Sequence, residues 1–330
     1  MRQIRIATRR SPLALAQAHK VAGLLSEYIK STGSVVFNSE IKLHVLETSA
    51  DKRLDVSIRD LGASGAFVKE IEKAVLLGEA DCAVHSAKDL PSSPGSSPLS
   101  LVSVPERADP RDVLVGCSLD LLPQGAQVAT GSLRRKLQIL ALRPDLEVVG
   151  IRGNIATRLS KIPHKGAVIM AKAALDRLGI QNDANNSVLS VSQMLPQVGQ
   201  GALAVTCMEE DKELAELLGA VSDENSSLAL QAERAFLAAI GGGCDAPVGA
   251  YAVINEDANT GVRKSITLQA MLATADHTVI VKRSMSGQNP LSLGKSLAIE
   301  LIDIVSGYNG SQNEKNLGMG KAIYTDEDRS

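Results

Sequence analysis

The feature that most constrains the fold of this chain is an alternation of two periods. Short apolar runs of strand length take turns with longer segments whose apolar residues recur at helical spacing. In RQIRIAT, Ile4 and Ile6 alternate as in a strand. Ser11-Pro12 then offers an N-cap and a first-turn proline, and LALAQAHKVAGLLSEYIK continues as a helix. IKLHVLE reads as the next strand, FVKEIEKAVLLGEA as a helix with Ile71, Val75 and Leu76 on its apolar face, and CAVHSA as a short buried strand. This order predicts an α/β domain with a mainly parallel sheet.

After the loop PSSPGSSP, a second alternating series runs through DVLVG, QVATG, EVVGI and GAVIMA and predicts a second α/β domain. VGQGALAV reads as a return to the first domain, because glycines around an apolar strand suit a crossing segment. The chain then changes character: the helix SLALQAERAFLAAI, a glycine loop, the strands GAYAVI, SITLQAML and TVIVKRSM, and the closing helix SLGKSLAIELIDIV predict an α+β domain. From Gly307 onward few apolar residues remain, and a partly disordered tail is expected. The boundaries drawn from these shifts are 1–104 with 203–224 for the first domain, 105–202 for the second and 225–330 for the third.

Composition narrows the function. Hydrophobic residues make up 44% of the 330 residues, but aromatics only 2% with no Trp, so the cores are aliphatic and aromatic stacking platforms are disfavoured. A net charge of −2 argues against general binding to nucleic acid or to an anionic membrane. No apolar run reaches membrane-spanning length, and the first strand follows Met1 at once, so a soluble, cytoplasmic protein is expected. Cys82, Cys117, Cys207 and Cys244 are far apart without a CxxC pair and the five histidines are scattered, so neither a zinc site nor a disulfide framework is predicted.

Three strand-to-helix junctions carry arginines: IATRRSPLAL, VATGSLRRKLQ and VGIRGNIATRL. A cation at a helix N-terminus is mildly unfavourable unless an anion binds there, and in doubly wound folds such junctions gather at the ligand-binding edge of the sheet. No GxxxxGK[ST] run is present to cradle a nucleotide, and guanidinium forks suit carboxylates, so a polycarboxylate ligand in a cleft between the α/β domains is expected. In HSAKDLP, Lys88 and Asp89 end a strand side by side; a turn-forming Asp with a solvated Lys and a proton-passing carboxylate are both open readings. His85 reads as a structural histidine. GGGCDAP sets Cys244 in a tight glycine loop that can expose sulfur, against the plainer reading of an ordinary loop cysteine.

Taken together, RIATRRSPLALAQ, FVKEIE, AVHSAKDLP, GSLRRKLQ, RGNIATRLSK, VGQGAL, AERAFL and GGGCDAPVG resemble the hydroxymethylbilane synthases, also called porphobilinogen deaminases, in order over nearly the whole chain. The resemblance implies two periplasmic-binding-protein-like doubly wound domains plus a smaller α+β C-terminal domain. It implies a monomeric transferase of tetrapyrrole biosynthesis that joins four porphobilinogen molecules head to tail, releasing ammonia and yielding hydroxymethylbilane. It further implies that Cys244 carries dipyrromethane, a cofactor of two substrate units, through a thioether. Asp89 would assist ammonia loss, stabilise the azafulvene cation and help remove the ring proton. Arg9, Ser11, Lys88, Arg134, Arg135, Arg152, Arg158 and Arg177 would bind substrate or cofactor carboxylates, with Ser132 and Gln200 as polar contacts and Phe67 as an aromatic neighbour of the cofactor.

The chain departs from the family pattern in places. Thr48 to Phe67 resembles the family's mobile lid, but Ala50 stands in place of a usual glycine, and Gly-Ala-Ser-Gly, with Ala63 and Ser64, replaces Gly-Gly-Lys-Gly, so a lid lysine is missing. At the cysteine loop Gly241 replaces a usual acidic residue and Asp245 follows the cysteine. Two other readings stay open at this stage. One is a cytoplasmic polycarboxylate-binding protein with the same arginine-lined cleft and no need of Cys244. The other makes Cys244 a nucleophile activated by a histidine, though none lies near it in sequence.

Overall fold

The computed structural model describes residues 1–47, 66–92, 97–180, 185–241, 247–255, 265–310 and 321–323. The chain forms two compact units: residues 1–109, 176–180 and 201–227 make the first, and 110–175, 181–200 and 228–330 the second.

In the first unit, strands β1 (Arg5–Arg9), β2 (Lys42–Leu46), β3 (Cys82–Ser86), β4 (Leu99–Ser103) and, much later in the chain, β10 (Leu203–Met208) form one sheet in the order β2-β1-β3-β10-β4. β1 is parallel to β2 and β3, whereas β10 is antiparallel to β3 and β4, so β1, β2, β3 and β4 run one way, as expected of a mainly parallel sheet, and β10 is reversed. A strand that arrives from another part of the chain is free of the parallel sense that a helical crossover imposes.

The period-2 pattern assigns the two faces of this sheet. Ile4, Ile6, Cys82, Val84, Val205 and Cys207 pack on one face with Ala18, Val21, Leu25 and Ile29 of the helix Pro12–Thr32 and with Leu214, Leu217 and Leu218 of the helix Lys212–Ala220. Ala7 and Ala83 point the other way, against Ile71, Ala74 and Val75 of the helix Ala66–Leu76. Leu76, expected on that apolar face, is 46% exposed: one residue past Val75 turns it about 100° around the helix, off the buried stripe. The long helix starts as its sequence demands, with Ser11 Oγ accepting from Ala14 N–H at 3.3 Å, and ends at Gly33 with φ of +63°.

The second unit holds two sheets. β5 (Asp112–Val115), β6 (Gln127–Ala129), β7 (Glu147–Val149), β8 (Ala167–Ala171) and β9 (Ser187–Val188) run in the order β7-β6-β8-β5-β9, with β6 parallel to β7 and β8 and with β5 antiparallel to its neighbours. β11 (Val248–Asn255), β12 (Ser265–Ala273) and β13 (Val279–Gly287) form an antiparallel meander, extended by β14 (Lys321–Ile323) parallel to β13. The helices Glu224–Ile240 and Pro290–Gly310 contribute Ala232, Phe236, Leu297 and Leu301 to its core. They cross closely at Gly294, where a Cβ would stand 2.4 Å from Ala232 O and 2.6 Å from Phe236 N. Leu137, Leu195, Met271 and Ile280 pack the two sheets of this unit together.

The closing helix runs past Gly307 to Gly310, and beyond Gly310 the described residues are the three of β14. Among the described residues, no helix is long and apolar enough to cross a membrane, and no His, Cys, Asp and Glu cluster could hold a metal ion. Cys82, Cys117 and Cys207 are free thiols.

Candidate active site

In the first unit, the chain leaves the carboxyl ends of β1 and β3 around a pocket lined by Arg9, Ser11, Gln17, Val68, Ile71, His85, Ser86 and Asp89. Parallel strands deliver their following turns to the same edge, which is why Arg9, from one junction, and Asp89, from another, share it. Asp89 closes a short helical turn, Ala87–Asp89, and Lys88 lies within that turn. The Asp89 side chain opens to solvent, yet the protein massed around it raises its carboxyl above the ordinary carboxylate range, while the charges of Lys88 and Arg9 pull the other way. A carboxylate poised upward in this manner is suited to accepting and returning a proton.

The rest of this pocket is neutral and hydrogen-bonded. His85 is buried, its Nε2 lies 3.3 Å from Thr206 Oγ1, and burial lowers its imidazole to about 4, so it is uncharged at neutral pH, in line with the structural reading. Gln17, 4% exposed, donates from Nε2 to Ser86 Oγ at 2.8 Å. Arg177 also belongs to the first unit. It donates to Gly201 O at 2.7 Å, and burial brings its guanidinium down to about 10 against the opposing charge of Asp176.

In the second unit, the helix Leu133–Leu142 follows β6 and the short helix Ile155–Leu159 follows β7, so adjacent parallel strands start both. Ser132 caps the first helix, its Oγ accepting from Arg135 N–H at 3.4 Å. Arg134 and Arg135 turn inward and are buried against Asp112, which is 0% exposed: Arg134 Nη2 donates to Oδ2 at 2.8 Å, and Arg135 donates to Oδ1 from Nε at 3.1 Å and Nη2 at 2.7 Å. Gln200 Nε2 adds a bond to Oδ1 at 3.0 Å. Burial alone would raise the Asp112 carboxyl; Arg134 and Arg135, with the hydrogen bonds, overcome it and bring it down to about 2.

Arg152 is exposed and makes no ion pair or hydrogen bond among the described residues. Arg158 is partly buried, donates to Gly153 O at 2.8 Å, and is lowered from its ordinary value by burial and then by Arg135. The expected site residues thus form two sets, Arg9, Ser11, Lys88, Asp89 and Arg177 in the first unit and Ser132, Arg134, Arg135, Arg152, Arg158 and Gln200 in the second. Cys244, Asp245, the lid stretch 48–65 with Ala50, Ala63 and Ser64, and the side chain of Phe67 lie outside the described residues.

Asp112, Gln17 and Glu233 are polar groups that the sequence pattern alone does not single out. An available signal was an acidic residue at a position the pattern assigns to the interior: Asp112 opens the apolar run VLV, and Glu233 interrupts the apolar face of LALQAERAFL.

Comparison with known proteins adds independent findings. "Porphobilinogen deaminase, dipyromethane cofactor binding domain" matches residues 4–216, and "Porphobilinogen deaminase, C-terminal domain" matches residues 227–303. The porphobilinogen deaminase of Brevibacillus brevis is 41% identical over 303 residues, covering 90% of this chain and 93% of that protein. That of a Geobacillus species is 44% identical over 308 residues, covering 92% and 94%. Among solved structures, a Salmonella typhimurium periplasmic binding protein with high arginine specificity overlaps at a TM-score of 0.35 and 11% identity, covering 69% of this chain and 94% of that one.

Proposed function

Because the chain belongs to the porphobilinogen deaminase family, we propose that Asp89 is its catalytic carboxylate and that the arginines of both units hold the carboxylates of substrate and cofactor. The protein is a transferase of tetrapyrrole biosynthesis that polymerises porphobilinogen stepwise with release of ammonia and uses a dipyrromethane cofactor. The observation that carries the residue assignment is the pocket that places Asp89 beside Arg9 and Ser11.

Each pyrrole of porphobilinogen carries an acetate and a propionate, so both substrate and cofactor need cationic partners. The second unit fits the cofactor in this respect: Arg152 is exposed with its guanidinium uncommitted among the described residues, and Arg158 stands at the same junction. Dipyrromethane, held through Cys244, supplies the pyrrole to which new units are added. Arg152 and Arg158 bind its carboxylates, with Ser132 as a polar contact, while Arg134 and Arg135, held in place on Asp112 together with Gln200, are the further arginines of this set. In the first unit, Arg9 and Ser11 take the substrate's carboxylates, and Lys88 and Arg177 add positive charge.

Asp89 accepts a hydrogen bond from the protonated aminomethyl group and stabilises the cation that develops as the carbon–nitrogen bond breaks. It then takes the pyrrole ring proton once the new carbon–carbon bond has formed. Three separate sheets among the described residues are in keeping with a three-domain reading, although the second and third domains lie in one compact unit, and we take the protein to act as a cytoplasmic monomer.

The direct test is turnover: purified protein should release one ammonia for each porphobilinogen consumed. Arg9→Met should raise KM for porphobilinogen by about tenfold or more with a smaller effect on kcat, since a charge-assisted hydrogen bond is worth roughly 1.5–3 kcal/mol. Failure to consume porphobilinogen would contradict the activity. An unchanged KM in the variant would remove Arg9 from the binding set.

A further inference from the structure

A polar thread runs through the second unit beyond the expected site residues. Glu233 is 0% exposed, and its two carboxylate oxygens accept from different elements: Oε2 from Gly199 N–H at 2.7 Å and Oε1 from Ala252 N–H of β11 at 2.9 Å. β11 is tied to the same stretch again, because Ala250 N–H donates to Pro196 O at 3.0 Å. Gly249 makes that approach possible, since a Cβ there would stand 2.9 Å from Pro196 O and 3.1 Å from Leu195 O.

The helix Leu133–Leu142 grips the other side of this stretch. Gln138 accepts from Leu195 N–H at 2.8 Å and donates to Leu195 O at 3.1 Å, and Arg134 Nη1 donates to the same carbonyl. Gln200 closes the connection by donating to Asp112, the partner of Arg134 and Arg135. Residues 195–200 are therefore a strap, with one edge on the arginine helix and the other on the helix Glu224–Ile240 and β11. Those last two elements flank Cys244 in sequence: the helix ends at Ile240 and the strand begins at Val248.

A buried carboxylate is costly to desolvate, and one that spends both oxygens on backbone amides from two elements fixes their spacing in a way an apolar side chain does not. We propose that Glu233 is a positioning residue for cofactor attachment: through the strap it sets the spacing between the arginine helix and the elements that flank Cys244. Glu233 touches neither substrate nor cofactor; it governs whether the sulfur and the cations can serve the same dipyrromethane at once. The inference rests on the family reading of Cys244 and of the arginines.

The test follows loading rather than turnover. Protein prepared in a host that makes no porphobilinogen is mixed with porphobilinogen, adduct formation is followed by intact mass, and a denatured aliquot is titrated beforehand against the Cys244→Ser variant, the extra thiol in wild type being that of Cys244. Glu233→Gln keeps the side chain's shape but replaces an acceptor with a donor, and it should load at least tenfold more slowly than wild type. Phe236→Leu, buried in the same helix, is the control for lost stability and should load at a near wild-type rate. Wild-type loading by Glu233→Gln, or equal slowing by Phe236→Leu at matched thermal stability, overturns the proposal.

Should Glu233→Gln fail to accumulate, Gly249→Ala reads the same coupling, because the added methyl must push the strap off β11. Slow loading supports the proposal and wild-type loading overturns it. If wild-type protein with a titratable Cys244 gains no adduct, the reading of Cys244 falls and takes this proposal with it, an outcome distinct from failure of the variant alone.

Discussion

Asp89→Asn is expected to leave the fold intact and to lower kcat for porphobilinogen by about 10²–10⁴-fold, the usual contribution of a positioned proton-transfer group. Asparagine preserves the size of the side chain and can still accept a hydrogen bond, but it can neither take a proton nor balance a developing cation. Because Asp89 lies at the end of a short helical turn and opens to the pocket, its replacement leaves the sheet's core unchanged. Its raised carboxyl adds a second signature. The acid limb of the wild-type rate profile should lie above the ordinary carboxylate range and be missing from the residual activity of the variant. Steady-state kinetics with circular dichroism on both proteins checks this, and wild-type kcat in Asp89→Asn would remove the assigned role.

Asp112→Ala should instead damage the second unit itself. The substitution leaves two adjacent guanidiniums buried with no countercharge, and removing one partner of a buried ion pair costs about 3–5 kcal/mol. The variant should unfold at clearly lower denaturant than wild type. The same carboxylate sets an acid limit on the wild type. Its folded value, about 2, lies below the unfolded value of about 3.9. Its stabilising contribution is therefore present above the unfolded value and is lost as pH falls through the folded one. Denaturant midpoints that match for wild type and Asp112→Ala at neutral pH would show that Asp112 does not hold the arginine pair.

The elements were legible where periodicity and packing agree. The alternation at Ile4 and Ile6 predicts the β1 strand, and Ser11-Pro12 predicts the helix start, because each depends on neighbours in sequence. The reversed entry of β10 was not legible in the same way, since strand direction depends on where the chain has been in between. Leu76 shows the limit of counting apolar residues near a helix end, where one more residue leaves the stripe.

The site follows the same division. Arg134 and Arg135 stand out in sequence as cations at a helix start, but their neutralisation by Asp112 joins positions that only the fold brings together. Glu233 illustrates the same point more strongly, because Gly199 and Ala252 meet it through backbone amides, groups that every residue but proline carries and that leave no mark in a sequence.

The most direct test of the account is the intact mass of freshly purified, denatured protein compared with its Cys244→Ser variant, each before and after incubation with porphobilinogen. The account predicts an adduct of dipyrromethane mass on the wild-type chain and none on the variant, which should also lose turnover. A wild-type chain that stays unmodified after incubation, or an adduct that persists in Cys244→Ser, would contradict it.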